Sequence, residues 1–185
     1  VVAEVSRDVP VVFIDTLRLF PETLAYRDTL VERLGLTDVR TVAPDPAALE
    51  DKDRYKALWM TDADLCCQIR KTEPLARALT GFDAWFTGRK RFQAATRAAI
   101  QLFEQDGKRV KVNPLATWSS AELKAYMAEH AMPTHPLVAQ GYPSIGCQPC
   151  TSKVKPGEDE RAGRWRGLDK TECGIHLGEA DGSGI

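Results

Sequence analysis

Five cysteines carry most of the reactive chemistry in this sequence, and their spacing is uneven. Two are adjacent and are followed within one helical turn by two cations, Arg70 and Lys71. Two more form a C-x-x-C pair far downstream, and the last stands alone near the C-terminus. In chain order they are Cys66 and Cys67, Cys147 and Cys150, and Cys173. Four cysteines can form one metal site, so the two pairs predict metal ligands and leave Cys173 as a candidate nucleophile.

The kind of metal site follows from ligand spacing. The stretch Gly146–Cys150 is loop-like, and its two sulfurs can face one metal centre, whereas a redox-active C-x-x-C normally heads a helix. Structural zinc is a second alternative, but the adjacent ligands Cys66 and Cys67 would strain a tetrahedron around one small ion. A four-iron four-sulfur (4Fe-4S) cluster is wider, so neighbouring cysteines can each reach a different iron. A pair of merely buried thiols fits poorly beside Arg70 and Lys71, and the pattern therefore favours the cluster.

Cys173 lies between Lys170 and His176, with Gly174 allowing close approach of the backbone. Nearby cations lower the pKa of a cysteine and stabilise the thiolate, which is the nucleophilic form. A lone cysteine is nevertheless often inert. The residues next to Cys173 are therefore compatible with both a reactive and an inert thiol.

Arginines near this cysteine suggest an anionic substrate. Arg161 and Arg164 are spaced i, i+3, so on a helix they would share one face and could clamp phosphate or sulfate oxygens. The alternative is an exposed helix with salt bridges to Glu158 and Glu160. A soft nucleophile, several arginines and the lack of a Walker-type glycine loop together indicate attack on an anionic compound of sulfur or phosphorus.

The elements that must position these residues alternate between strand and helix. Val9–Asp15 is a short apolar run typical of a strand buried on both faces, Pro21–Leu34 has helical spacing and stops at Gly35, and Val39–Ala43 predicts a second strand. This β-α-β order predicts an α/β fold with a doubly wound, mainly parallel sheet.

Further elements follow along the chain. Arg89-Lys90-Arg91 comes directly after the third predicted strand, at the edge where ligands bind in such sheets, although a basic triplet is more often a solvated loop. The predicted elements are a turn at Pro44–Pro46, one or two helical turns over Asp62–Lys71, a helix over Leu75–Leu79 after Pro74, strands at Ala84–Gly88 and Lys108–Leu115, and a helix over Leu123–His130 behind a capping box at Ser119.

Length and composition limit the function classes. The 185 residues predict one domain, and 43% hydrophobic with 28% charged residues is an ordinary globular composition. A formal net charge of −1 provides no global field for nucleic acid or a membrane surface. No apolar run approaches the ~18 residues of a membrane span, and no signal peptide opens the sequence. We therefore expect a cytoplasmic protein that binds neither nucleic acid nor membrane.

These motifs resemble the assimilatory adenylyl-sulfate reductases, close relatives of the phosphoadenylyl-sulfate reductases. The resemblance covers most of the chain and is specific because many separate segments share it. The segments are Phe13–Thr16, Leu19–Thr23, Cys66–Lys71, Trp85–Arg91, Asn113–Leu115, Pro143–Cys150, Arg161–Trp165 and Glu172–His176.

The resemblance implies an adenine nucleotide alpha-hydrolase-like (PP-loop type) sheet with a C-terminal segment that bears the cluster and the catalytic cysteine. Residues 1–177 would form a single reductase domain without the N-terminal part and nucleotide-binding loop of the family, and residues 178–185 a flexible tail. Leu17 stands where relatives carry a glycine in a turn, so we expect an altered adenine contact there.

The resemblance also implies a mechanism. Cys173 would attack the sulfur of adenylyl sulfate (APS), AMP would leave, and reduced thioredoxin would release sulfite from the resulting S-sulfocysteine. Cys66, Cys67, Cys147 and Cys150 would hold one 4Fe-4S cluster, and the substrate would be bound by Lys71, Arg161, Arg164 and His176, with Arg89, Arg91 and Arg97 on the substrate-side loop. The alternatives are a phosphoadenylyl-sulfate reductase and a zinc-binding nucleotide-binding module without turnover. A homo-oligomer remains open.

Overall fold

The computed structural model describes residues 1–176 and shows a mixed α/β chain. The predicted tail at residues 178–185 lies outside the described residues. The strands are β1 (Val11–Ile14), β2 (Val39–Val42), β3 (Ala84–Phe86), β4 (Phe103–Asp106) and β5 (Arg109–Val112). The helices are α1 (Val2–Val5), α2 (Pro21–Leu34), α3 (Pro46–Lys52), α4 (Leu58–Thr61), α5 (Ala63–Cys67), a π-helical turn (Gln68–Thr72), α6 (Glu73–Ala78) and α7 (Ser120–Glu129), with short 3-10 turns between them.

The predicted β-α-β unit is present at the start of the chain. β1 and β2 pair in parallel, Val11 opposite Val39, and α2 connects them. Pro21 opens α2 because its missing N–H is not needed there, and Gly35 ends the helix at φ 61°. The β1 side chains are half-buried, so the expectation of a strand buried on both faces was wrong.

The other three strands form a separate sheet in the order β3-β5-β4, in which β3 and β5 are parallel and β4 is antiparallel. Its charged face is the buried one. Lys111 is 3% exposed, lies 3.6 Å from Asp106 and sits over the ring of Trp85, whereas Val110 and Phe86 face outward. The contacts with a carboxylate and an aromatic ring offset the free-energy cost of burying this charged side chain.

The elements that were not predicted are α1, α3, α4 and β4. The predicted turn at Pro44–Pro46 is the start of α3, since Asp45 caps the helix by accepting from Ala47 N and Pro46 occupies its first turn. Strand β4 pairs with β5 across the two-residue turn Gly107-Lys108, in which Gly107 adopts φ 60°, a conformation that the first position of such a turn requires. The capping box at Ser119 was predicted correctly and starts α7.

The described chain forms two compact units. The first contains Val1–Ala78 and His135–Ile175, and the second contains Leu79–Thr134 and continues from His176. The first unit is thus assembled from two stretches that are distant in sequence. Among residues 1–176, none of the helices has the length and apolar character that a membrane crossing requires.

Candidate active site

The adjacent cysteines lie at the end of α5. Asp62 caps this helix by accepting from Leu65 N at 2.8 Å, and the following turns bury Cys66 and Cys67 to 8% and 6% exposure. The chain then continues into the π-helical turn, which also buries Lys71. Single π turns inside helices are frequently found at functional sites. Cys67 and the lysine four residues later therefore belong to one continuous helical element.

The C-x-x-C pair is held by a backbone contact to the loop after β1 and by a side-chain contact within its own loop. Gln148 N donates to Arg18 O at 2.7 Å, and the Thr151 hydroxyl donates to Cys147 O at 2.8 Å. Only a 3-10 turn, Gln148–Cys150, follows Cys147. The loop-like surroundings predicted for the pair are thus present, unlike the helix that a redox-active C-x-x-C normally heads.

The two cysteine pairs meet in one cleft of the first unit. Cys66, Cys67, Cys147 and Cys150 line it together with Trp59, Pro149, Arg70 and Lys71. All five cysteines of the chain are free thiols. Within residues 1–176, no group of three or more Cys, His, Asp or Glu side chains is close enough to hold a single metal ion. The cleft therefore brings the four predicted ligands together.

Three of the paired cysteines, Cys66, Cys67 and Cys150, have raised pKa values. Burial raises the pKa of Cys66 to about 11, and burial also raises the pKa values of Cys67 and Cys150. A thiol that coordinates a metal loses its proton outright, so iron or zinc binding here would place several negative charges in a buried cleft. Such charges require buried cations nearby.

Lys71 and Arg164 are those cations. Burial by itself lowers the pKa of Lys71, but the neighbouring sulfurs of Cys147, Cys173 and Cys67 together raise it above its usual range. Burial, followed by the nearby charge of Arg161, lowers the pKa of Arg164, although a guanidinium stays protonated in proteins. Both side chains therefore carry positive charge beside the cysteines.

Arg161 and Arg164 lie in a turn and not on the helix face that their spacing suggested. Arg164 N donates to Arg161 O at 2.8 Å, and Arg164 forms a bridge with Thr151. The alternative, an exposed helix in which these arginines pair with Glu158 and Glu160, is not present either. Glu158 binds Arg166 instead, at 2.7 Å. Within residues 1–176, the side chains of Arg161 and Arg164 instead contact Thr171, Glu172 and Ile145.

Two glycines allow this loop to pack closely. A Cβ at Gly163 would lie 2.1 Å from the backbone oxygen of Ser152, and a Cβ at Gly146 would overlap the guanidinium of Arg164. The loop thereby places Arg164 and the buried ring of Trp165 next to the C-x-x-C pair. Trp165 N donates to Cys150 O at 3.0 Å.

Cys173 is half-buried at the end of the first unit. It is close enough to Lys71, Cys67 and Arg164 to contribute to their electrostatic environment. Gly174 follows at φ +83°, a conformation that favours glycine. The nucleophile candidate and the paired cysteines thus belong to the same neighbourhood.

The four other predicted substrate residues lie in the second unit. Arg89 is buried and bonds to Glu104 and Asn113, Arg91 donates to Ile100 O, and Arg97 donates to Gln93. The ring of His176 stacks on Trp85 at 5.9 Å, and its carbonyl accepts from Lys111. Their role in substrate binding stays a prediction.

Comparison with known proteins places this site in a family. The model of the phosphoadenosine phosphosulfate reductase domain matches residues 1–153. An adenosine 5'-phosphosulfate reductase of Mesorhizobium japonicum is 54% identical over 176 residues, which cover 95% of this chain and 69% of the relative. The chain belongs to the phosphoadenosine phosphosulfate reductase family. A reductase of the same name from Rhodococcus erythropolis is 44% identical and covers 94% of this chain and 71% of its own length.

Solved structures agree with the membership in this reductase family. A phosphoadenylyl-sulfate reductase from Candida auris matches with a TM-score of 0.68 and 31% identity, over 83% of this chain and 74% of that one. An FMN adenylyltransferase from Candida glabrata shares the fold alone, with a TM-score of 0.55 at 17% identity. The PP-loop type α/β fold predicted from the sequence is therefore confirmed.

Three site residues of this family member were not identified from the sequence. The Thr16 hydroxyl lies 3.2 Å from the sulfur of Cys147 and is buried. Trp59 lines the cysteine cleft, and Trp165 is 3% exposed at φ 48° with the cations Arg164 and Lys71 over its ring. Of these three, only Thr16 could have been identified from the sequence, because it follows the carboxyl end of a parallel strand, where ligands bind in such sheets.

Proposed function

We propose that this chain reduces adenylyl sulfate to sulfite and AMP in sulfate assimilation, as an oxidoreductase acting on a sulfur group. The relatives quoted above are named adenosine 5'-phosphosulfate reductases. The observation that carries the proposal is the position of Lys71. This buried ammonium interacts with Cys173 and also with the paired cysteines Cys67 and Cys147. One cation thus adjoins both the candidate nucleophile and the candidate metal ligands.

In this proposal the two cysteine pairs hold one 4Fe-4S cluster. Four thiols in one cleft, their burial, and the two cations beside them fit a bound group of negative charge. A cluster is also wider than one ion, so the adjacent Cys66 and Cys67 could each bind a different iron. When bound, the cluster supplies charge and positioning without a required change of oxidation state. Thr16 would donate its hydroxyl proton toward the Cys147 sulfur, which fixes that ligand.

Cys173 performs the bond-making step. Its thiolate attacks the sulfur of adenylyl sulfate, a bond forms between Cys173 Sγ and that sulfur, and the bond from sulfur to the bridging oxygen breaks. The electron pair leaves with AMP, and the enzyme carries an S-sulfocysteine. Lys71 and Arg164 would stabilise the negative charge of the sulfate oxygens during this step.

Reduced thioredoxin completes the cycle. One of its thiolates attacks Cys173 Sγ, sulfite leaves with the electrons of the broken sulfur–sulfur bond, and a mixed disulfide forms. The second thioredoxin thiol then displaces Cys173 as a thiolate, so two electrons pass from the dithiol to the sulfur.

Arg161 would bind the phosphosulfate, and the proposal retains substrate-binding roles for Arg89, Arg91, Arg97 and His176.

The test compares sulfite release from adenylyl sulfate and from its 3'-phosphorylated form, with reduced thioredoxin as the electron donor. We expect turnover with adenylyl sulfate, and no turnover in Cys173→Ser, whose cluster absorbance should equal that of the wild type. Preference for the 3'-phosphorylated nucleotide would identify a phosphoadenylyl-sulfate reductase instead. Turnover by Cys173→Ser would refute the nucleophile assignment.

Metal analysis tests the cofactor separately. Protein prepared without oxygen should be brown and contain about four irons per chain. A colourless protein with one zinc per chain and no sulfite release would instead indicate a zinc-binding module without turnover. Cys67→Ser should lose iron, whereas Cys173→Ser should retain it.

A further inference from the structure

The guanidinium of Arg161 is occupied by the segment that carries Cys173. Its Nη2 donates to the carbonyl of Thr171 at 2.9 Å and lies 3.4 Å from Oε2 of Glu172. The Arg161 and Glu172 side chains are only 18% and 22% exposed, so the pair is partly withdrawn from water. The arginine expected to bind an anionic substrate therefore already binds a carboxylate of its own chain.

A carboxylate and a phosphosulfate compete for a guanidinium through the same chemistry. Both present oxygen acceptors in the geometry that the planar fork of an arginine donates to. Arg164 differs. Its Nη1 donates one long hydrogen bond to Ile145 O at 3.3 Å, and its buried Nε has no hydrogen-bond partner in residues 1–176. Of the two arginines, Arg161 is the one that an incoming anion would have to free.

A second contact fastens the same segment on the other side of Thr171. Lys170, whose side chain is 8% exposed, forms an ion pair with Asp64 on the cysteine helix α5 and lies 5.8 Å from the ring of Trp165. Loss of the Arg161 contact would therefore leave the segment attached through Lys170. The expected rearrangement is local and involves Glu172 and Cys173.

We propose that Glu172 is a positioning residue that occupies Arg161 until substrate arrives, and that the anion of the substrate replaces it. This exchange would couple substrate binding to release of the Cys173 segment from Arg161, so that the thiol gains freedom when a sulfate is present. The inference rests on the proposed function, because it takes Arg161 as a ligand of the phosphosulfate.

The first test measures the mobility of Cys173 without any turnover. In the holoenzyme, the rate at which iodoacetamide alkylates Cys173 is followed by mass spectrometry. We expect Glu172→Gln to raise this rate about three- to five-fold, the range that loss of a partly exposed ion pair supports. Asp169→Asn removes one charge from the same segment at an exposed position and should leave the rate unchanged.

A double-mutant comparison assigns the effect to Arg161. Arg161→Ala should by itself raise the alkylation rate, and adding Glu172→Gln to it should change nothing further. An unchanged rate in Glu172→Gln, or an equal increase in the Arg161→Ala background, would overturn the proposal. Arg161→Ala also reports on the contact if Glu172→Gln does not fold.

The second test measures competition. In a Cys173→Ser background, where the covalent step is blocked, Glu172→Gln should bind adenylyl sulfate about three- to five-fold more tightly, because no carboxylate has to be displaced. Equal affinity would refute the competition. If the protein releases no sulfite from either nucleotide, the proposed function fails, while the alkylation experiment still decides whether Glu172 holds the segment through Arg161.

Discussion

In the proposed function, the chemistry of the first unit depends on Lys71. An ammonium that is 9% exposed would be costly without negative partners, and sulfurs of three cysteines are its neighbours. The ring of Trp165 lies 5.9 Å from its Nζ and adds a further favourable contact. A lysine in this place keeps its charge at neutral pH.

We expect Lys71→Met to retain iron but to lower kcat/KM by about 100-fold, because a preorganised cation near the developing negative charge is lost while the volume is kept. Iron per chain and sulfite release measure the two effects. Lys124→Met, at an exposed position of α7, is the matched control and should change neither. An unchanged kcat/KM in Lys71→Met would exclude a role of this lysine in the reaction.

Leu17 stands where relatives carry a glycine, and its backbone adopts a conformation that favours glycine. The expectation that this position needs a glycine-like turn is met, since Leu17 adopts φ 56° and its N–H donates to Asp15. The position of the turn was predictable from the motif. By contrast, no local pattern marks Trp165, another residue at positive φ, because its conformation depends on the packing of a distant loop.

At the level of elements, the cysteine helix continues where the sequence suggested a break. Pro74 cannot donate a backbone hydrogen bond, and its ring is incompatible with a regular helical turn before it, which is why a new helix was predicted there. The chain instead widens into a π turn, in which Glu73 N donates to Gln68 O, and then runs into α6. The wide turn accommodates the proline without ending the helix.

A buried ion pair anchors this element. Arg70 Nη2 lies 2.5 Å from Asp53 Oδ2, its Nη1 donates to Thr16 O at 2.8 Å, and Asp53 also accepts from Leu58 N. Both charged side chains are almost fully buried. The pair therefore connects the loop before α4, the end of β1 and the π turn.

We expect Asp53→Asn to lower the free energy of unfolding by about 3–5 kcal/mol, because it leaves Arg70 buried without its counter-charge. Denaturant unfolding measures the change. Asp51→Asn, at an exposed position, should stay within about 0.5 kcal/mol of the wild type. A similar small effect in both variants would show that the pair contributes little to stability.

The same carboxylate predicts a pH dependence. Burial by itself raises the pKa of Asp53, but the hydrogen bond from Arg70 and that from Leu58 N hold it below its ordinary value. A lowered pKa provides stability that is present above the unfolded-state pKa and is lost as the pH falls through the folded-state pKa. Wild-type stability should thus fall below about pH 4 more steeply than that of Asp53→Asn.

At the scale of the whole molecule, the candidate metal ligands join distant parts of one unit. Cys66 and Cys67 come from the stretch Val1–Ala78, and Cys147 and Cys150 come from the stretch His135–Ile175. The second unit, with its β3-β5-β4 sheet, contains none of the five cysteines. A bound cluster would therefore crosslink the first unit only.

We expect removal of iron from the holoenzyme with a chelator to increase amide hydrogen exchange in residues 63–72 and 146–151, because these stretches would lose their common ligand. Peptides from β3, β4 and β5 serve as the internal control and should be unchanged. Hydrogen exchange with mass spectrometry makes the comparison. An equal increase in both units, or none in the first, would contradict the crosslinking role.

The residue types and motifs alone determined the fold class, the family resemblance and the candidate chemistry, because thiol, ammonium and guanidinium groups have fixed reactivity and short motifs record it. Tertiary structure decided which of them meet. The contact of Thr16 with Cys147 joins residues 131 positions apart in sequence. Arg161 forms an ion pair with Glu172, and not the contacts with Glu158 and Glu160 that a helix would allow. Such contacts depend on how segments distant in sequence pack together, and local sequence patterns do not report this packing.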